Sequence, residues 1–252
     1  MIVGAFRTLD VSVAATLTHP VRPPSVFLLL GSGHPRSVTE PLDLFGDAAD
    51  TTTDLPPDLE TLKAQAAGCT ACELYHDTTG TVFGSGPATA RLVMVGEQPG
   101  DQEDRQQAPF VGPAGRLLDE ALDEAGIARD DAYVTNAVKH FGFRYQGKRR
   151  IHETPKAGHI KACRPWLDAE LALVKPQVLL TLGATAGKAL LGSSFRITAE
   201  RGEPRTWNDL TLVPTIHPSA ILRADPARGQ DRDEMFADFV ADLRTAGELL
   251  HG

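Results

Sequence analysis

The chain has 252 residues, 42% hydrophobic and 23% charged, with a formal net charge of -8 at pH 7. That length supports one large α/β domain with a substantial core. The longest apolar run in the amino-terminal part, Val26–Leu30, is far too short to span a bilayer, and Arg7 and Asp10 interrupt any signal-peptide core, so a cytoplasmic protein without a membrane partner is expected.

Residues 1–55 differ from the rest. Pro20, Pro23, Pro24, Pro35 and Pro41 break them up, and "GDAADTTTD" (Gly46–Asp54) has the composition of a linker. They read as a poorly ordered or weakly packed extension to a domain over 56–252. From Leu55 the pattern becomes regular. "DLETLKAQAAGC" predicts a short helix leading into Cys69, the first residue of a Cys-x-x-Cys pair with Cys72. With Cys163 that makes three cysteines, which cannot pair evenly, and without a secretory signal metal or redox chemistry is the better reading.

"RLVMVGE" (Arg91–Glu97) is a short apolar run of the kind that buried parallel strands show. The loop after it, "GEQPGDQEDRQQAPFVGPAG", brings Glu97, Gln98, Asp101 and Asp104 to the sheet edge. It also holds Phe110, either the plug of a turn or a flat ring for stacking on a base. It contains neither G-x-G-x-x-G nor G-x-x-x-x-G-K-[ST], so no nucleotide-binding fingerprint is present. A helix through "GPAGRLLDEALDEAGI" should stop at Gly126. "AYVTNAV" (Ala132–Val138) is the second strand, and Asn136 near its end suits either a pyrimidine edge or a strand-end cap.

Lys139 to Arg164 carries eight Lys/Arg and one acid, Glu153, a local +7 against -15 elsewhere. Within it "GKRRIHETP" is either a solvated basic loop or a stretch that steers a phosphate backbone past His152. A helix is expected from Thr154, with Pro155 in its first turn and a kink or break at Pro165. "QVLLTLG" (Gln177–Gly183) and "TLVPTIHP" (Thr211–Pro218) are the third and fourth strands, each followed by helix. His217, directly after the last strand, is either structural or placed to stabilise a developing anion; Arg223 faces phosphate or solvent. An amphipathic helix through "DEMFADFVADLRTAGELL" closes the chain. Strands alternating with helices predict a three-layer α/β/α sandwich with a central four-stranded parallel sheet, whose ligands collect beyond the carboxyl ends of the strands. Cys69, Cys72, His140 and Cys163 form a candidate four-ligand set, fitting a Cys3His zinc site, an iron–sulfur cluster with one histidine ligand, or simply buried thiols.

Seven segments in order, "CTACEL", "GEQPGDQED", "PFVGPAGRLLD", "YVTNAVKHF", "KRRIH", "ACRPWLDAEL" and "HPSAILR", make the chain from about Leu59 onward resemble the uracil-DNA glycosylase superfamily. The likeness is greatest to its iron–sulfur group, family 4, and within it to the UdgX branch. The resemblance implies the uracil-DNA glycosylase fold and an enzyme, a monomer, that acts on uracil-containing DNA, single strands included. It implies that Gln98 and neighbouring backbone hold the extruded uracil, Phe110 stacks on it, Asn136 pairs with its edge and His217 stabilises the departing anion. Glu97 and Asp101 would belong to the catalytic loop, and Lys148, Arg149, Arg150 and Arg223 would contact DNA. A [4Fe-4S] cluster would sit on Cys69, Cys72, His140 and Cys163, the histidine standing where ordinary family 4 members have cysteine.

The UdgX likeness further implies that His152, rather than water, captures the sugar and leaves the protein covalently attached, a single-turnover enzyme. Two alternatives stand beside it: a conventional hydrolytic family 4 glycosylase, and a non-catalytic metal-containing DNA-binding module.

Overall fold

In a computed structural model, residues 55–251 of the chain are described. The extension expected over residues 1–55 lies outside them except for its last residue. The described chain opens with α1 (Leu59–Ala66), capped by Asp58, whose carboxylate accepts the Thr61 N–H at 2.7 Å. A single 3-10 turn, Glu73–Asp77, follows Cys72. Next come β1 (Leu92–Gly96), α2 (Asp101–Gln106), α3 (Pro113–Ala125) and β2 (Ala132–Asn136). The basic segment holds β3 (Phe143–Gln146) and β4 (Arg149–His152), after which α4 (Ala157–Val174) leads to β5 (Val178–Leu182) and α5 (Ala184–Leu191). The remainder is α6 (Ile197–Glu200), β6 (Arg205–Trp207), β7 (Leu210–Thr215), α7 (Pro218–Leu222) and α8 (Arg232–Glu248).

The main sheet has the order β2-β1-β5-β7-β6. Its first four strands are parallel and are the four expected from the sequence. The fifth, β6, is an antiparallel edge strand joined to β7 through Asn208 and Asp209, both at positive φ. Two positive-φ residues are what a type I′ hairpin turn requires, and Asn and Asp tolerate them. Its three residues carry too little apolar patterning to announce a strand.

Period-two alternation splits the core. Val93, Val95, Tyr133, Leu179 and Leu212 face the layer of α1, α4 and α5, while Leu92, Met94, Val134, Leu180 and Val213 face α3, α7 and α8. Leu118, Leu122 and Phe239 are fully buried on the second side, each stabilising the sandwich by roughly 1.5–3 kcal/mol over an exposed position. Helices on both faces of a mainly parallel sheet give the three-layer architecture that the sequence implied.

Two local expectations fail for clear reasons. "KRRIH" is not a loop but the second strand of an antiparallel hairpin: Gly147, at φ +62°, and Lys148 form a two-residue connection between paired Gln146 and Arg149. The helix expected from Thr154 begins at Ala157 and runs unbroken through Pro165. Pro165 is exposed, so its ring lies on the solvent side, while Cys163, Trp166 and Leu167 bury the other face and carry the helix past it.

Candidate active site

Chain connectivity reverses direction in the sheet between β1 and β5, so their carboxyl ends open onto the topological switch point. Glu97 follows β1 directly and Thr185 stands in the first turn of α5, just past β5. The Thr185 hydroxyl donates to Glu97 Oε2 across this gap. The other oxygen, Oε1, lies 3.3 Å from His152 Nε2 at the end of β4. Burial pushes the Glu97 carboxyl up, but hydrogen bonds from His152 and Thr185, with charge contributions from His152 and His217, outweigh it and hold the group below its ordinary range. Glu97 is therefore an anion at neutral pH, backed by one hydroxyl and facing one half-exposed imidazole.

Beside this pair is a narrow slot. A Cβ on Gly96 would lie 2.4 Å from Asn136 Oδ1 and 2.6 Å from Phe110 Cζ, so only glycine lets strand, amide and ring come together here. Asn136 is buried and its Oδ1 has no hydrogen-bond partner, a costly state for a side chain that nothing else satisfies. Phe110 takes φ +57°, an unfavourable conformation for a bulky residue, and its ring stacks toward His217 with centroids 5.9 Å apart at 29°. The Ser219 main-chain N–H donates to His217 Nδ1 at 3.1 Å. A main-chain N–H can only donate, so the ring proton of neutral His217 resides on Nε2. Burial lowers the His217 pKa to about 4, against an opposing pull from Glu97, so the ring is a neutral donor near pH 7.

Three expected contacts are redirected. The Gln98 amide is buried and spent on the base of the hairpin: Nε2 donates to Gly142 O at 3.0 Å and Glu153 O at 2.9 Å, and Oε1 accepts the Gly142 N–H at 3.2 Å. Only the main chain around Gln98 remains for a ligand. Asp101 binds the guanidiniums of Arg105 (2.8 Å) and Arg150 (2.5 Å) instead of facing Glu97. Arg150 also reaches Asp104 at 2.6 Å and lies over Phe141 and Phe143, leaving its side chain 10% exposed. Of the "KRR" cations it is therefore the one that fixes the hairpin to the protein, because two carboxylates have already neutralised it. Lys148 and Arg149 are exposed at the hairpin tip, as is Arg223 past α7. The sequence reading did not single out Thr185, although it lies in "GATAGK" directly after a strand. Asp104, expected with the other polar groups at the sheet edge, instead faces Arg150.

Of the proposed ligand set, Cys163 lies on α4 and Cys69 against it. Cys163 is buried and its Sγ accepts the Lys139 main-chain N–H at 3.2 Å; Trp166, one turn on, donates its indole N–H to Cys69 Sγ at 3.2 Å. All three thiols are free, with Cys72 half-buried. Burial pushes the Cys163 thiol up to about 12, with Lys139 pulling the other way, and burial raises the Cys72 thiol too. His140 is buried with Nδ1 unpartnered, and burial keeps its pKa below the ordinary range. Among the described residues no three His, Cys, Asp or Glu side chains converge to hold a single ion. An iron–sulfur cluster takes separate thiolate donors, with histidine replacing cysteine in some centres. Thiols that need a cation to ionise, with an orphaned imidazole nitrogen, fit that donor set chemically.

A concavity of about 740 Å³ opens at the opposite edge of the sheet, lined by Leu92, Ile127, Ala132 and Arg244 among others. It contains none of the groups above, and in parallel sheets ligands gather at the carboxyl edge, so size is the poorer guide here. Fold and site together define a doubly wound α/β protein whose sheet edge offers a slot for a flat heterocycle beside a carboxylate–imidazole pair.

Comparison with known proteins agrees. The model of the uracil DNA glycosylase superfamily matches residues 83–244. The type-4 uracil-DNA glycosylase of Thermotoga maritima is 40% identical over 167 residues, 66% of this chain and 83% of that protein. Those of Sulfurisphaera tokodaii and Pyrobaculum aerophilum are 35% and 32% identical, covering 65% and 74% of this chain and 76% and 95% of theirs. The chain belongs to the uracil DNA glycosylase superfamily. Among the described residues, no helix is long and apolar enough to cross a membrane.

Proposed function

We propose that this protein excises uracil from DNA and becomes covalently attached through His152 to C1′ of the resulting sugar, as its resemblance to the UdgX branch implies. The observation that carries this reading is the placement of His152 Nε2 3.3 Å from the Glu97 carboxylate, on a hairpin anchored over the sheet edge. The names of the type-4 relatives support the excision half of it.

The target base leaves the helix stack, because its glycosidic bond is out of reach inside it. Phe110 stacks on the base, the Asn136 amide pairs with its edge, and His217 Nε2–H donates to the charge that collects on it. As the C1′–N1 bond breaks, its electron pair leaves on uracil N1 and positive charge develops on the sugar. Glu97 stabilises that charge electrostatically. An imidazole nitrogen of His152 then gives its lone pair to C1′, and the proton on the other ring nitrogen passes to solvent, leaving a neutral alkylated imidazole. A nucleophile fixed in place reaches effective molarities of roughly 10⁵–10⁸ M, far above that of liquid water, so a well-placed imidazole intercepts the sugar first.

Cys69, Cys72, His140 and Cys163 would hold a [4Fe-4S] cluster, which would supply a cross-link between the Cys69 segment, the end of β2 and α4. Iron and acid-labile sulfide content, and visible absorption that weakens in Cys72→Ser, test that assignment.

The central test is a denaturing gel after incubation with single-stranded DNA containing one uracil. A shifted band that survives heat and detergent is expected for the wild type. For His152→Ala, no shifted band and continued release of free uracil are expected. Abasic DNA without any adduct in the wild type would favour the hydrolytic reading. Binding that ignores uracil, with no base released, would leave only the non-catalytic module.

A further inference from the structure

The far end of the hairpin carries a side chain that the excision chemistry does not use. Phe143 pairs with His152 and Tyr145 with Arg150, so these four residues share one face of the β3–β4 ribbon. Along that face the aromatic rings form a ladder. Phe141 stacks on Phe143 with centroids 5.0 Å apart at 27°, and Phe143 meets Tyr145 edge-on at 5.2 Å and 89°. The ladder climbs out of the protein: Phe141 is 2% exposed, Phe143 partly covered and Tyr145 63% exposed. No other large hydrophobic side chain among the described residues is as exposed as Tyr145. The cation on its own face does not cover it, because Arg150 lies over Phe141 and Phe143 and is held there by Asp101 and Asp104.

Charge at the same tip narrows the choice of partner. Lys148 is exposed in the turn just beyond Tyr145, and on the ribbon's other face Arg149 is exposed and Arg144 meets Glu153 at 3.4 Å in an open ion pair. An exposed ring flanked by free cations is the surface that single-stranded nucleic acid uses, the ring taking a base and the cations the backbone. Spacing adds a register. Tyr145 is two residues beyond Phe143, about 6.8 Å along an antiparallel strand, and Phe143 is level with His152. Neighbouring phosphates on one DNA strand are about 3.4 Å apart along the helix axis, so 6.8 Å corresponds to about two nucleotides, or one where the strand is stretched.

We propose that Tyr145 is a DNA-stacking residue, packing on a base one or two nucleotides from the excised uracil on the same strand. This rests on the reading of the protein as a uracil-DNA glycosylase that meets DNA with the His152 hairpin. The site then grips the strand at two points, the extruded base in the slot and a neighbouring base on Tyr145, with Lys148 and Arg149, farther out on the hairpin, on the phosphates beyond Tyr145.

The test uses single-uracil, single-stranded oligonucleotides in which each of the two nucleotides on either side of the uracil is replaced in turn by a tetrahydrofuran abasic spacer. Uracil release is measured for the wild type, Tyr145→Ala and Tyr145→Phe. On fully based DNA, with protein in excess, Tyr145→Ala should lose roughly 5- to 150-fold in the second-order single-turnover rate constant, mostly through the half-saturating protein concentration, the range of one base–aromatic stack, while Tyr145→Phe retains activity. One spacer position should reduce the wild type to the level of Tyr145→Ala and leave the variant unchanged. Equal activity of wild type and Tyr145→Ala, or a deficit that persists at every spacer position, overturns the assignment alone. A wild type that releases no uracil overturns the underlying reading and this assignment with it.

Discussion

His217 combines three constraints in one ring. It caps α7 through Nδ1, it stacks toward Phe110, and burial keeps it neutral. The low pKa has a consequence for stability whose sign follows from linkage. In the unfolded chain a histidine takes up its proton near pH 6.5, whereas native His217 declines it until about pH 4. Between these values the unfolded state binds more protons, so stability is greatest above pH 6.5 and is lost as pH falls toward 4. Glu97, held below its ordinary range, acts in the same direction. At pH 4.5 the His217 contribution is on the order of 2–3 kcal/mol. Urea unfolding at pH 7 and pH 4.5 checks it. His217→Asn keeps a capping side chain but cannot titrate, so its loss of stability on acidification should be smaller than the wild type's by about that amount. Identical losses in the two proteins would mean that His217 is not held neutral. Much at this scale was legible in the sequence. Glu97, Asn136 and His217 stand at or just beyond strand ends, where a parallel sheet presents chemistry, and Phe110 stands between α2 and α3 in the long segment after β1. Thr185 was not, because a threonine after a glycine looks like any helix start until its hydroxyl is seen on Glu97.

The hairpin is the element on which the proposed chemistry turns, and it was the least legible. Its second strand offers one apolar residue, Ile151, among cations, and its first only Phe143 and Tyr145, too short an alternation to announce a strand. What folds it is tertiary: the Phe141–Phe143–Tyr145 ladder, Arg150 held on that ladder by Asp101 and Asp104, and Gln98 closing the base with three hydrogen bonds. The three partners come from 44 to 55 residues away in sequence, and no local pattern reports such pairing. Arg150 read as a DNA contact for the same reason, since a lone cation in a basic run shows nothing of the carboxylates that face it. A separable effect is expected when these anchors are removed. Arg150→Ala and Gln98→Ala should release the hairpin and slow covalent capture by at least tenfold in a quenched time course, since loss of fixed geometry forfeits the advantage over water. Uracil release should fall less, because Phe110, Asn136 and His217 belong to other elements. Capture and release declining in the same proportion would show that the anchors support the slot itself and not the placement of His152.

At the scale of the whole molecule the question is how an acidic protein meets a polyanion. The local charge of +7 between Lys139 and Arg164 overstates what faces solvent. Lys139 is fully buried against Glu170, Arg150 is taken by Asp101 and Asp104, and Arg164 by Asp168. That leaves a small set on the outer side of the segment, Lys148 and Arg149 foremost, on a body that otherwise repels phosphate. Affinity should therefore depend on a few contacts, and its salt dependence should be set by their small number. Each phosphate contact removed should flatten the plot of log K against log salt by about 0.7 for a single strand. Lys148→Ala with Arg149→Ala should thus reduce the slope by about 1.4, measured by fluorescence anisotropy with His152→Ala in the background so that binding stays reversible. Arg150→Gln in the same background should weaken binding with little change of slope, because its charge is already matched within the protein. A slope unchanged by the double substitution would mean that the tip of the hairpin is only a solvated basic turn and that the phosphates are held elsewhere, with Arg223 the first residue to test. A slope that falls for Arg150→Gln as well would mean that the hairpin rearranges on DNA and releases that guanidinium from Asp101 and Asp104 to join the contact.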